Sequence, residues 1–248
     1  MTVVDANANV GPTLYSDFEF DPTLEALDAR LTEANVDGAV VAPLKPPSFD
    51  FDAANERLAA RLADRDEYYG IGRIDPRVGD AAEHARRALE EYGLYGLKLH
   101  PWEETFSITA PIVEPVLDVA AERGVPVWIY AGYPNVSRAL SVRRVVTAYP
   151  GVDFVLTHTC QLDISGGSVG SVMLLARETE NTYFELSGTY RHDVIQNLVE
   201  SVGPERVLFG SNAPRYDPRL EKARVTKADV PAAAKRVMLG DAVLDLLE

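Results

Sequence analysis

The stretch Asp-Ala-Asn-Ala-Asn-Val-Gly at residues 5–11 directly follows a short apolar run at the start of the chain. Four later segments have the same design, an apolar run that ends in polar or small residues. They are Gly-Leu-Lys-Leu-His-Pro (96–101), Pro-Val-Trp-Ile-Tyr-Ala-Gly (126–132), Phe-Val-Leu-Thr-His (154–158) and Arg-Val-Leu-Phe-Gly-Ser-Asn-Ala-Pro (206–214). Continuously apolar runs are typical of parallel strands that are buried on both faces.

Short apolar runs alternate with longer stretches of helical spacing along the whole chain. The predicted strands are Val3–Asp5, Gly38–Ala42, Tyr69–Ile74, Leu94–His100, Val125–Tyr130, Phe154–His158, Thr182–Leu186 and Val207–Gly210. The predicted helices are Thr23–Asn35, Ala53–Arg65, Asp80–Tyr92, Ile112–Arg123, Val136–Ala148, Val169–Glu178 and Asp193–Val202, with a final helical segment Val230–Leu247 that is broken near Gly240.

Eight strand-then-helix units predict an α/β fold, a single closed (β/α)₈ TIM barrel. An open doubly wound sheet is the alternative, but no Gly-x-Gly-x-x-Gly loop follows the first strand. A chain of 248 residues fits one barrel or two smaller domains. Because no linker-like or low-complexity stretch interrupts it, we expect one domain over residues 1–248.

Composition restricts the cellular setting. No apolar run approaches the roughly 18 residues of a membrane span. The start, Met-Thr-Val-Val-Asp, lacks the basic and apolar regions of a signal peptide, so a cytoplasmic protein without membrane contact is expected. A single cysteine, Cys160, excludes an internal disulfide.

The chain is strongly acidic, with 38 acidic against 24 basic residues and a net charge of −14. Only five of the basic residues are lysines. An acid excess with few lysines suggests a salt-rich, halophilic host, where self-repulsion is screened. It also argues against nucleic acid as a partner, and an anionic ligand would need a local cationic pocket.

Polar residues gather at the predicted strand ends, where barrel enzymes place their active sites. Side chains alternate along a strand, so residues two apart face the same side. This puts Asp5, Asn7 and Asn9 together at the first strand, Lys98 and His100 at the fourth, and His158 and Cys160 at the sixth. Tyr130 ends the fifth strand, Glu185 and Ser187 end the seventh, and Asn212 lies just past the eighth.

These segments, in this order, resemble the amidohydrolase-related family of metal-dependent barrel hydrolases and decarboxylases (amidohydrolase 2 type). The resemblance covers nearly the whole chain, including the closing Met-Leu-Gly-Asp-Ala-Val-Leu-Asp-Leu-Leu. It implies that the positions of Asn7 and Asn9 carry metal-binding histidines in the family, and that the Asn212 position carries an aspartate that serves as ligand and general base. A further family histidine stands at the Tyr130 position, and His158 alone matches the usual ligands. Lys98 and His100 match a common Lys-Leu-His-Pro.

Ligand chemistry argues against a tight zinc site of the family type. Zinc favours imidazole, thiolate or carboxylate donors, whereas asparagine offers a neutral, hard oxygen. Asn212 has no titratable proton and cannot act as a general base. We therefore expect no cofactor of the family type, and a divalent metal only at a site rebuilt from His100, His158 and Glu185.

Several candidate site residues follow, each with a plainer alternative. His158 and His100 are candidate acid/base groups, or hydrogen-bonded residues of the barrel. Lys98 could bind a carboxylate, form a Schiff base, or pair with Asp5 or Glu185. Asn7, Asn9 and Asn212 position ligand, or fill a vacated pocket with a polar network. Tyr130 either contacts a ligand or fills space. Arg191 either binds a carboxylate or lies at the solvated start of a helix. Cys160 is expected to be a small buried residue rather than a nucleophile.

Three hypotheses on function remain open. The first is a metal-poor hydrolase, decarboxylase or lactonase that acts on a small organic acid, ester, lactone or amide, as the relative 2-pyrone-4,6-dicarboxylate lactonase works without metal. The second is a catalytically silent relative that binds a small molecule or a partner protein. The third is a metal enzyme with the rebuilt site. The resemblance is also compatible with a homodimer.

Overall fold

In the computed structural model, residues 1–14, 20–161, 167–191 and 193–248 are described. Within these ranges the strands are β1 (Val4–Val10), β2 (Gly38–Pro43), β3 (Tyr68–Gly70), β4 (Gly72–Arg73), β5 (Leu97–Leu99), β6 (Val127–Ile129), β7 (Phe154–Leu156), β8 (Thr182–Glu185) and β9 (Val207–Leu208). Each pairs in parallel with the next, except that β3 and β4 follow one another along the chain.

Backbone hydrogen bonds join these ladders into a barrel. Ile71 lies between β3 and β4 and donates to Val41 on one side, at 2.9 Å, so β3 and β4 act as one interrupted barrel strand. On the far side, Ala6 of β1 donates to Phe209 at 2.9 Å and Asn9 donates to Ala213 at 2.8 Å. The first and last strands are therefore neighbours, and the predicted TIM barrel is confirmed.

Helices surround the strands at nearly the predicted positions. They are α1 (Leu24–Ala34), α2 (Phe51–Leu62), α3 (Ala81–Glu90), α4 (Glu114–Arg123), α5 (Ala139–Ala148), α6 (Gly167–Glu178), α7 (Asp193–Val202), α8 (Pro218–Lys227), α9 (Ala232–Arg236) and α10 (Ala242–Leu247). Local chemistry explains the bounds of α1, where the Thr23 side chain caps the first turn and Asn35 ends the helix at a φ of 52°.

The sequence pattern did not predict helix α8, but it did predict the break in the C-terminal helical segment. Helix α8 buries only Pro218, Glu221 and Val225 and so has no apolar stripe for periodicity to detect. The predicted break near Gly240 is a π-helical turn, Val237–Asp241. A β-carbon at Gly240 would overlap the carbonyl oxygen of Thr2, so the chain start packs directly on this turn.

The sixth predicted strand is too long, and this changes two side-chain directions. Strand β7 ends at Leu156, and residues 157–160 form a tight turn in which His158, Thr159 and Cys160 have φ values of 58°, 50° and 57°. The prediction that His158 and Cys160 share one side of a strand is therefore wrong. Non-glycine residues at positive φ are strained and cluster at functional sites.

The barrel interior is divided into an apolar base and a polar mouth. Trp128 is fully buried among Val4, Val40, Val155 and Leu208, and its indole donates to the carbonyl of Ala6 at 2.9 Å. Polar groups then gather at the C-terminal ends of the strands. Among the described residues, no helix is long and apolar enough to cross a membrane.

The two tryptophans provide a matched test of this packing. Trp128→Ala removes a large side chain from the closed interior and should lower the free energy of unfolding by about 3–5 kcal/mol. Trp102→Ala, at a side chain that is 52% exposed and stacked on Tyr133, should cost about 1 kcal/mol or less. Urea denaturation in concentrated salt measures both, and equal losses would show that Trp128 does not anchor the interior.

Candidate functional site

The buried amine of Lys98 is the centre of the polar mouth. Lys98 lies on β5, is 1% exposed, and donates to Asn7 Oδ1 at 3.1 Å and to Asn9 Oδ1 at 2.8 Å. Within the part of the chain that the structure describes, no ion pair includes Lys98, so the alternative pairing with Asp5 or Glu185 is not formed. Burial and the neighbouring Arg73 lower the pKa of Lys98 to about 7.

The amine fixes the direction of the amide network around it. Because Lys98 donates, both asparagine oxygens turn toward it and their NH₂ groups turn away. Asn7 Nδ2 then donates to Glu185 Oε2 at 3.0 Å, and Asn9 Nδ2 donates to Asn212 Oδ1 at 3.0 Å. Asn212 is left with its NH₂ group, a buried donor that has no partner among the described residues.

His158 contributes an unpartnered acceptor. Its Nδ1 lies 2.9 Å from the carbonyl oxygen of Ser187, and a carbonyl only accepts, so Nδ1 carries the proton. The lone pair is therefore on Nε2, which is buried and without a partner in the described structure. Burial lowers the pKa of His158 to about 4, with smaller contributions from Lys98 and Arg215, so the ring is neutral at ordinary pH.

Two buried carboxyl groups flank this network. Glu185 accepts from Asn7, from the Ser187 hydroxyl at 2.8 Å and from the His158 backbone, and burial raises its pKa to about 7. A β-carbon at Gly210 would overlap the Glu185 carboxylate, so any larger residue there would have to displace that group. Asp5 binds Ser211 instead, and burial raises its pKa to about 6.

Aromatic rings form the wall on the His100 side. His100 stacks on Tyr130 with ring centroids 3.8 Å apart, and Tyr130 meets His158 edge-on at 4.6 Å. Both nitrogens of His100 face Glu103: Nδ1 accepts from its backbone at 3.1 Å, and Nε2 lies 3.7 Å from Oε1. Burial holds the pKa of His100 well below its ordinary value, so this ring is a neutral positioning group. Burial raises the pKa of Tyr130, which stays protonated.

A charged cluster closes the mouth beside these rings. Arg73 pairs with Glu104 at 2.7 Å and with Glu103 at 2.5 Å, and Arg215 pairs with the other oxygen of Glu103 at 2.7 Å. Lys45 donates to the Glu103 backbone carbonyl. Three cations thus surround two carboxylates at this edge of the mouth.

Most predicted site residues come together here. Asn7, Asn9, Lys98, His100, Tyr130, His158, Glu185 and Asn212 are all buried around one network. Arg191 is the exception: it is exposed and paired with Asp193 at the start of α7, as the solvated-helix alternative expects. Cys160 donates to the Ser137 carbonyl, and burial raises its pKa to about 12, which rules out a ready thiolate.

Sequence reasoning did not place Arg215, Tyr216 and Tyr133 in this site. Tyr133 stacks near Tyr130 at 5.9 Å, and Tyr216 lies edge-on to His158 at 6.3 Å. The sequence feature that could have identified these three residues is their position, because each follows the end of a predicted strand within a few residues. They lie in loops without periodicity, so nothing in the pattern gave their direction.

The residues present do not fit a metal ion of the family type. Both asparagine oxygens at the family's histidine positions are taken by the Lys98 amine, whose charged form would repel a cation. The unpartnered atom of Asn212 is an N–H donor, which leaves His158 Nε2 as the single open nitrogen ligand among these groups. No group of three or more His, Cys, Asp or Glu in the described ranges could hold a metal.

The raised pKa of Glu185 predicts a pH dependence of stability. Between its unfolded value near 4.5 and its folded value of about 7, the folded state keeps a proton that the unfolded chain has lost, so the contribution of Glu185 to stability falls as pH rises. Glu185→Gln should make this fall shallower between about pH 5 and 7, in urea unfolding measured across that range. The exposed Glu56→Gln is the control, and identical slopes for wild type and both variants would contradict the raised pKa.

Comparison with known proteins agrees with this architecture. The sequence profile described as amidohydrolase matches residues 20–246, whereas no curated protein matches the chain. Similar solved structures include an uncharacterized TIM-barrel protein from Bordetella bronchiseptica (15% identity, TM-score 0.80, 100% of this chain and 98% of that one). Others are 5-carboxyvanillate decarboxylase LigW from Sphingomonas paucimobilis (16%, 0.75, 99% and 98%) and a dihydroxybenzoic acid decarboxylase from Polaromonas sp. JS666 with bound manganese (13%, 0.76, 99% and 96%). With a profile match over most of its length, the chain belongs to the amidohydrolase family.

Proposed function

We propose that this protein is a metal-independent hydrolase or decarboxylase that acts on a small organic acid. The observation that carries the proposal is a network around the buried amine of Lys98 that includes two buried groups without partners in the described structure. They are the donor Asn212 Nδ2, whose side chain Asn9 connects to Lys98, and the acceptor His158 Nε2. Unsatisfied buried polar groups are costly and call for an explanation such as a bound ligand.

These groups suit a reacting oxygen atom. An oxygen that accepts from Asn212 and donates to His158 is a water or a hydroxyl group. In hydrolysis, His158 Nε2 takes a proton from water as its oxygen bonds to the substrate carbonyl carbon. Asn212 and the Lys98 ammonium then stabilise the developing negative charge, and the leaving oxygen receives the proton.

Local charge and shape favour an organic acid as the ligand. The cluster of Arg73, Arg215 and Lys45 around Glu103 and Glu104 has one cation more than carboxylates, on a chain of net charge −14. Arg215, with 23% of its side chain exposed, is the most exposed of the three cations. The stacked Trp102 and Tyr133 rings, 4.4 Å apart, offer a planar surface of the kind that aromatic acids contact. The named relatives include decarboxylases of carboxylated aromatic compounds.

A second candidate is ligand binding without turnover. Lys98, Asn7, Asn9 and Glu185 satisfy one another, which is how a polar network would fill a mouth that had lost its chemistry. The weak basicity of a His158 with a pKa of about 4 also favours this alternative. The two candidates separate on turnover, which only the first predicts.

The decisive experiment screens ester, lactone and carboxylate substrates with protein purified in EDTA without a metal-affinity tag. We expect turnover that chelator does not change and that falls by about 100-fold or more in Lys98→Met and in His158→Ala. Lys227→Met, at an exposed lysine, and His84→Ala, in α3 outside the site, should leave the rate unchanged.

Three outcomes contradict the proposal in different ways. Restoration of activity by zinc or manganese after EDTA treatment would favour a rebuilt metal site. An active His158→Ala enzyme would remove His158 from any essential role. A thermal shift with organic acids in the absence of any turnover would favour the binding protein.

A further inference from the structure

We propose that Lys98 is an amine nucleophile that forms a Schiff base with the carbonyl group of a small β-keto acid. The inference deepens the proposed function, because it uses the same site and names a substrate class and a covalent step. It does not require that the protein hydrolyse esters, so the two proposals can fail separately.

The hydrogen bonds of Lys98 match a neutral amine. A neutral amine has two hydrogens and one lone pair, and Lys98 makes two donated bonds, to Asn7 Oδ1 at 3.1 Å and to Asn9 Oδ1 at 2.8 Å. Both acceptors are uncharged amides. With both hydrogens used, the lone pair is directed away from the asparagines and is available to a carbonyl carbon.

The charges around Lys98 also disfavour an ammonium. Arg73 is its register partner on the neighbouring strand β4, and Arg215 adds a second positive charge. The negative groups are weakened as counter-ions, since Glu103 is paired with both arginines and burial raises the pKa of Glu185 to about 7. His100 and His158 are neutral. Desolvated lysines beside other cations are the ones that act as Schiff-base nucleophiles.

Two of the six buried side-chain atoms that lack a partner in the described structure fit the first intermediate. When the lone pair of Lys98 Nζ bonds to the carbonyl carbon, the C=O π electrons move to oxygen, and a proton passes from the nitrogen to that oxygen, which becomes the hydroxyl of a carbinolamine. That hydroxyl can accept a hydrogen bond from Asn212 Nδ2 and donate one to His158 Nε2, and both of these atoms lack a partner in the described structure. It then leaves as water with a proton from solvent, and the bond to nitrogen becomes an iminium.

The iminium accepts the electron pair that decarboxylation releases, which is why the proposed reaction uses an amine. In a β-keto acid, the bond between the α-carbon and the carboxylate breaks, its electron pair moves into the iminium, and carbon dioxide leaves an enamine. The enamine carbon takes a proton from water, and a second water hydrolyses the iminium to ketone and free Lys98. Overall, one keto acid anion and one proton give one ketone and one carbon dioxide. Arg215, at the solvent side, is the cation placed to hold the carboxylate.

Reductive trapping tests the covalent step. The protein is incubated with acetoacetate at pH 8, reduced with sodium borohydride, digested and analysed by mass spectrometry. We expect one adduct on Lys98: an isopropyl group if carbon dioxide leaves before reduction, or a 1-carboxypropan-2-yl group if it does not. Lys45, which is buried but donates to the Glu103 carbonyl and lies 5.2 Å from the Phe49 ring, and the exposed Lys227 are internal controls that should stay unmodified.

The pH dependence and one variant add independent readouts. For an amine with a pKa of about 7, the deprotonated fraction rises about tenfold between pH 6 and pH 8, and labelling of Lys98 should rise with it. Asn9→Asp places a carboxylate beside the amine, raises the pKa of Lys98 and should suppress labelling at pH 8. The Asn212 amide can turn to donate to that carboxylate, and circular dichroism confirms the fold.

The outcomes distinguish the two proposals. Labelling spread equally over all lysines, or no labelling of Lys98 at pH 8, would overturn the Schiff base. If Lys98→Met nevertheless abolished ester or lactone hydrolysis, the proposed function would stand with Lys98 as an ammonium. Specific labelling of Lys98 without release of carbon dioxide or any other turnover would leave the covalent amine in place and remove the enzymatic function.

Discussion

The need of the buried Lys98 amine for hydrogen-bond acceptors determines how the other polar side chains of the mouth are oriented. An amine with no ion pair among the described residues must be satisfied by neutral acceptors, and Asn7 and Asn9 supply them. Because both amide oxygens accept from Lys98, the NH₂ group of Asn7 donates to Glu185 and that of Asn9 donates to Asn212 Oδ1. Asn212 Nδ2 is then left without a partner in the described structure. One donor thus orders four other side chains from three parts of the chain.

The same constraint separates this barrel from metal-binding relatives. The Polaromonas decarboxylase of the same architecture holds manganese, whereas here an amine lies between the two side chains at the family's histidine positions. Because the Lys98 amine is covalently part of the chain, it needs no ligands of high affinity, and amide oxygens are sufficient to orient it. The family's fold is kept, while asparagines lie at the two positions that the resemblance assigns to metal-binding histidines.

Several strained or close backbone contacts concentrate at this mouth. His158, Thr159, Cys160 and Asn212 all have positive φ values without being glycines. The turn at 157–160 brings the His158 ring to Ser187 and so sets which ring nitrogen is free. Gly210 makes room for the Glu185 carboxylate. Strain of this kind persists only where the surrounding packing holds it, here the closed barrel beneath.

The sequence by itself determined the barrel and most members of the site. Continuous apolar runs and alternating helical stretches identified the strands, and the polar residues at their ends identified Asn7, Asn9, Lys98, His158 and Asn212. Only the tertiary structure decided the partners: that Lys98 meets amides and not carboxylates, that Arg191 faces solvent, and that Arg215 and Tyr216 close the mouth. The physical reason is that strand periodicity is local, whereas hydrogen-bond direction, desolvation and loop geometry depend on residues that are distant in the chain.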